Sequence, residues 1–179
     1  MRVQRLVDRP IISPDLHPSI GANIQGPSAI RVPDWIEGRL GDYYLYFADH
    51  KGRYIRLAYA DHLAGPWTIH PPGSLQLEQS QFLTEPPKVT PERLAEFEAR
   101  LTQNGVTLSH DLLSDLTTPH IASPDVHVDP VGRRIIERAR HLGAYLQATQ
   151  TAAERARSRR HGIPEAVLAE TAVLDFLRE

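Results

Sequence analysis

The sequence predicts a mainly β fold with a helical insertion and a helical C-terminal segment, and three observations predict it. Residues 43–69 carry three short apolar runs separated by two polar turns. Residues 90–105 carry a helix start signal, a helical repeat of apolar side chains and a stop signal. From Arg133 onward the chain is rich in Arg, Ala, Glu and Leu, residues that favour helix.

The elements follow in order. Residues 1–41 are rich in Pro and Gly, with Ile24 to Val32 as the one convincing strand. Tyr43 to Ala48 is entirely aromatic or aliphatic, as suits a strand buried on both faces. Asp49, His50, Lys51, Gly52 and Arg53 form a turn, with Gly52 expected to supply the positive φ. Tyr54 to Ala60 alternates, placing Ile55, Leu57 and Tyr59 on one face and Arg56 and Ala58 on the other. That pattern predicts a half-solvated strand. A second turn spans Asp61 to Pro66, and Trp67 to Ile69 resumes an extended apolar run. Three antiparallel strands in sequence make a meander, which reads as a single blade of a β-propeller.

Beyond Ser80 the strand signal disappears. Thr90 and Pro91 form an N-cap and first-turn pair ahead of Leu94, Phe97 and Leu101, so a helical insertion is expected over 90–104, ending at Asn104 and Gly105. Strand character returns at Ile121 to Val128. These readings divide the chain into a β region, 1–134, and a helical C-terminal segment, 135–179, broken at Gly162, Ile163 and Pro164 and expected to pack on the β region.

Composition excludes several classes. At 179 residues with a net charge of −2, the chain fits one ordinary domain and has neither a nucleic-acid surface nor an acidic tail written into its overall charge. The absence of cysteine removes a disulfide framework, a zinc ribbon and thiol catalysis. The N-terminus has no uninterrupted apolar stretch, and no run is long enough to span a bilayer. A soluble, cytoplasmic protein with no membrane partner is expected. Eight arginines between Arg133 and Arg160 stand against Glu137 and Glu154, but the acidic stretch from Glu165 to Glu179 balances them. Nucleic-acid binding is therefore not expected.

Four pieces of the chain carry a resemblance: Gly26-Pro27-Ser28-Ala29-Ile30-Arg31-Val32, Tyr43-Tyr44-Leu45-Tyr46-Phe47, Arg56-Leu57-Ala58-Tyr59-Ala60-Asp61 and Leu63-Ala64-Gly65-Pro66-Trp67. In order and spacing they resemble the first blade of the family 43 type glycoside hydrolases. Ile121-Ala122-Ser123-Pro124-Asp125-Val126-His127-Val128 resembles the strand that opens the second blade. The resemblance implies a partial five-bladed β-propeller, about one and a half blades, and a carbohydrate partner. It also implies a catalytic set of three carboxyl groups from three blades, one protonating the leaving oxygen and another activating water. This sequence departs from that set. Gly26-Pro27 stands where the family has Asp-Pro, and nothing after Arg134 resembles the later blades, so a truncated or catalytically altered relative is expected. A reading-frame change near residue 136 would account for the abrupt loss. The alternative is a non-catalytic carbohydrate-binding or protein-interaction module built from blade-like strands.

The candidate site residues follow from strand periodicity. A strand over Ser123 to Asp129 places Asp125, His127 and Asp129 on one face. Such a row offers Asp125 as a catalytic carboxylate, His127 as a substrate contact, and all three as ligands for a divalent cation; no other cofactor is implied. The competing reading has Asp129-Pro130 opening a turn, Asp125 bonding local amides and His127 exposed. Asn23 and Gln25 flank Gly26 and alternate with Ile24, so both are candidate sugar contacts. His50, at a turn tip, is a third. Trp67 is expected in the core, while Trp35 is open to either role. Blade-like strands need covering, by the helices, for which Val167, Leu168, Val173, Leu174, Phe176 and Leu177 offer an apolar face, or by a homo-oligomer.

Overall fold

The computed structural model describes residues 5–105 and 111–140. They fall into two compact units, one comprising residues up to Thr84 together with Pro119–Arg140, the other containing Glu85–Thr118. Each is described by itself.

The first unit is β. Strands β1 (Ile24–Arg31), β2 (Tyr43–Asp49), β3 (Tyr54–Ala60) and β4 (Thr68–Gln76) form one antiparallel sheet in sequential order. A second antiparallel sheet is the hairpin β5 (Ala122–Asp129) and β6 (Arg134–Arg140). The mainly β expectation holds, and the meander lies where the tyrosine block placed it.

Strand β2 explains why the first sheet needs two covers. Its alternate residues Tyr44, Tyr46 and Ala48 join a core with Ile30, Ile55, Leu57, Ile121, Ala122 and Val126. Leu45 and Phe47 point the other way, into a cluster with Ile20, Ala58, Ile12 and Ile69. One face is thus covered by the β5–β6 hairpin and the other by the N-terminal segment. Trp67 packs against this second cluster, as expected for a core aromatic, and its indole N–H donates to the Leu63 carbonyl.

Three expectations change. Strand β3 is not half-solvated: Arg56 is 7% exposed and Ala58 is fully buried. The N-terminal segment makes this possible, because the Arg56 guanidinium donates to the Ser19 carbonyl at 2.8 Å and to the Tyr54 carbonyl at 3.1 Å. It also stacks over the Tyr54 ring at 4.4 Å. A buried cation so provided with acceptors is tolerated.

In the β2–β3 turn the positive φ belongs to Lys51, not Gly52. Glycine is needed at 52 for space, since a Cβ there would approach the Asp49 carbonyl oxygen at 3.0 Å and the Arg56 guanidinium at 2.8 Å.

The expected helical segment beginning at 135 is also corrected. Residues 134–140 are strand β6, paired with β5 from Asp129↔Arg134 to Ala122↔Arg140, and the strand runs unbroken through residue 136. Helix-favouring composition loses here to a tertiary demand: Ile135 and Ala139 pack against the tyrosine face, and the β-branched pair Ile135-Ile136 suits a strand. The rest of that segment, 141–179, lies outside the described residues.

The second unit holds α1 (Pro91–Gln103) and α2 (Leu112–Thr117). Helix α1 begins and ends where its signals placed it. Thr90 Oγ1 accepts from the Arg93 N–H, Pro91 opens the first turn, and Asn104 is the C-cap. Leu94, Phe97 and Leu101 pack with Val89 on Leu112 of α2. Among the described residues no helix is long and apolar enough to cross a membrane.

Candidate functional site

The candidate residues fall into two groups. The first lies at the end of the larger sheet where β1 begins and β2 turns. His50 N–H donates to the Asn23 carbonyl at 2.9 Å, and the Asn23 N–H donates to Asp49 Oδ1 at 2.8 Å. These bonds fix the two strand ends together. Gln25 Nε2 then lies 3.5 Å from His50 Nδ1, bringing two of the sequence candidates side by side, with the exposed Asn23 adjacent.

A residue that periodicity missed completes the group. The Ile121 N–H donates to the Gly52 carbonyl at 2.9 Å, tying the entry of β5 to the β2–β3 turn. His120, 5% exposed, is thereby held with its ring centroid 6.3 Å from that of His50. The available signal was positional: His120 immediately precedes the predicted strand at 121, as Asn23 precedes the strand at 24.

Asp49 is not available for chemistry here. Its carboxylate accepts the Asn23 N–H, lies 3.7 Å from the Arg56 guanidinium, and occupies the space that a side chain at Gly21 would take. Asp49 and Arg56 are structural. At the end of the sheet Asn23, Gln25 and the half-buried His50 stand beside the buried His120; amides and imidazoles are groups that donate to and accept from neutral hydroxyls.

The second group lies on β5. Burial alternates along it: Val126 is buried against the first sheet, while Asp125 and His127 face away and are exposed. His127 Nε2 and Asp125 Oδ1 are 2.9 Å apart. The shared face therefore holds for these two. Asp129 belongs to the turn, where its carboxylate accepts from the Val131 and Gly132 N–H groups and from Arg134 Nε at 2.9 Å. These bonds, first that from the Gly132 N–H, hold its carboxyl below the ordinary carboxylate value. The turn-opening alternative describes Asp129. Among the described residues no three His, Cys, Asp or Glu side chains are grouped to hold a metal ion.

Gly26 is held by close packing. It has φ of 60°, and a Cβ there would lie 2.7 Å from the Ser123 Cα. Backbone approaches backbone at this point, and no carboxylate fits on that Cα without moving β5.

One further titratable group is half-buried. Glu137 projects between the sheets, accepts a hydrogen bond from Ser74 Oγ at 2.9 Å, and is pushed above its ordinary value by burial, with the Ser74 bond opposing. Burial likewise raises the Tyr46 phenol, and the nearby Glu137 charge adds to it. Trp35 lies elsewhere, with the Arg133 guanidinium 5.8 Å from its ring centroid.

No family model matches the chain, and no solved structure matches it. An uncharacterized protein of Acanthamoeba polyphaga mimivirus is 42% identical to it over 64 residues, 32% of this chain. The match spans 18% of that viral protein's length.

Proposed function

We propose that the first unit is a carbohydrate-binding relative of the family 43 type propeller hydrolases that binds without hydrolysing. The observation that carries this reading is the convergence of Gln25, His50 and His120 at one end of the sheet, beside Asn23. Amide and imidazole groups supply the directional hydrogen bonds that sugar hydroxyls require. The four-stranded meander is blade-shaped, and the second hairpin packed on it supports a reading of about one and a half blades.

Absence of catalysis follows from the chemistry of acid–base hydrolysis. Two carboxyl groups must flank the scissile bond. At the resembling position the residue is Gly26, and the approach of Ser123 leaves no room for a replacement. Asp125, the remaining candidate, is bonded to His127 and points away from the first sheet.

The test is a paired measurement on one preparation: calorimetric binding of a panel of oligosaccharides, and release of chromophore from aryl glycosides. Binding weakened by Gln25→Ala and His50→Ala, without turnover, is the expected result. Turnover abolished by Asp125→Asn would instead establish the hydrolase reading.

A further inference from the structure

The β5–β6 hairpin is a sheet of its own, and among the described residues no strand ladder joins it to β1–β4. It meets the larger sheet through side chains packed on the tyrosine face and through single backbone donors. The Val126 N–H donates to Ser28 Oγ at 3.0 Å, and the Ile121 N–H to the Gly52 carbonyl at 2.9 Å. A part joined in this way can open without breaking the ladder beneath it.

Register identifies the face that is seated. Val126 stands opposite Glu137 and Val128 opposite Ile135, and residues opposite one another share a face. Val126, Val128, Ile135 and Ala139 all pack into the tyrosine core, so Glu137 interrupts an otherwise apolar surface at its middle. What faces it is neutral. The Ser74 hydroxyl of β4 donates to it at 2.9 Å, the Tyr46 phenol of β2 lies within reach of its charge, and β1 and β3 bring Ile30, Ile55 and Leu57 to the same core. Among the described residues no cation pairs with it. The hairpin's other acids lie elsewhere, Asp125 beside His127 on the outer face and Asp129 in the turn.

We propose that β5 and β6 form a proton-gated flap: protonated Glu137 lets the hairpin seat on the tyrosine face, and ionised Glu137 favours its opening as one piece while β1–β4 stay folded. An ionised carboxylate taken out of water with one hydroxyl donor and no cation is poorly compensated. In the opened hairpin the same carboxylate is hydrated. Seating therefore raises the carboxyl above its ordinary 4.5, and the preference for the seated state is fully present below that value and lost as pH rises through the raised one. Opening would bare Tyr44, Tyr46 and Leu57 and carry the entry of β5 away from Gly52. The inference rests on the packing of the hairpin and not on carbohydrate binding.

Amide hydrogen exchange of the full chain over a pH series, corrected for the intrinsic pH dependence of exchange, tests it. Protection of β5 and β6 is expected to fall as pH rises above 4.5, about tenfold for each unit by which seating raises the carboxyl, while protection of β2 and β3 holds. Glu137→Gln, which keeps an acceptor for Ser74, is expected to abolish the fall. Ser74→Ala removes a bond that favours the charged carboxylate and is expected to move the fall to higher pH. Hairpin protection that does not change with pH, a fall shared equally by β2 and β3, or one that persists in Glu137→Gln overturns the proposal. Failure to bind any oligosaccharide leaves it standing.

Discussion

Gly26 illustrates how one residue can be misread as a simple loss. By resemblance it is the place of a missing carboxylate, yet its φ of 60° and the nearness of Ser123 make it a structural requirement. Gly26→Asp is therefore expected to lower the melting temperature and to give no glycosidase activity; the left-handed backbone alone contributes on the order of 1 kcal/mol. Activity gained by this variant would contradict the reading. Arg56 was legible as a residue of a strand but not as a buried one, because the carbonyl that accepts from it is Ser19, 37 residues away, and no local pattern encodes that partner. Arg56→Ala is expected to destabilise by about 3 kcal/mol in chemical denaturation, since it strips charge pairing and bonds from a buried point. Glu137 gives a pH dependence of definite sign. Its folded-state value is raised above the ordinary 4.5 by burial, so its contribution is fully present below that value and is lost as pH rises through the raised one. Glu137→Gln keeps an acceptor for Ser74 and is expected to be the more stable protein at neutral pH. Its stability should fall less than that of the parent as pH rises above 4.5. Equal slopes in the two proteins would remove Glu137 from the account.

Among the elements, local chemistry and tertiary context were read with unequal success. Helix α1 was legible to its ends because its signals are local: Thr90 caps it, Pro91 starts it and Asn104 closes it. Thr90→Ala is expected to cost about 1 kcal/mol, seen as faster amide exchange in the first turn of α1 with no change in the β sheets. Strand β2 was equally legible, since its two-faced apolar composition demands cover on both sides. What covers it was not. Residues 134–140 carry helix formers, and their strand conformation comes from pairing with β5 and from Ile135 and Ala139 resting on the tyrosine face. The N-terminal segment, rich in turn-forming residues, shows no periodicity that would announce Ile12 and Ile20 as the opposite cover. Val126→Ala, at 5% exposure in the middle of the covering hairpin, is expected to destabilise by about 2 kcal/mol and to loosen β5 and β6 before β2 in hydrogen exchange. Loss of protection in β2 first would contradict the covering role.

For the whole molecule, the proposed carbohydrate-binding role rests on the polar cluster at one end of the larger sheet. Of the candidate site, Gln25 and His50 were legible because strand alternation and a turn tip placed them. His120 was not, because its position depends on the bond from Ile121 to Gly52. The match to a mimivirus protein over 64 residues carries no activity with it. The central claim is that the Gln25–His50–His120 end binds carbohydrate and does not cleave it. Calorimetric titration of the full chain with oligosaccharides, repeated with Gln25→Ala, tests this most directly. Saturable binding that the substitution weakens about tenfold, with the sugar recovered intact, is the expected result. Binding unaffected by the substitution, or a sugar recovered cleaved, would contradict it.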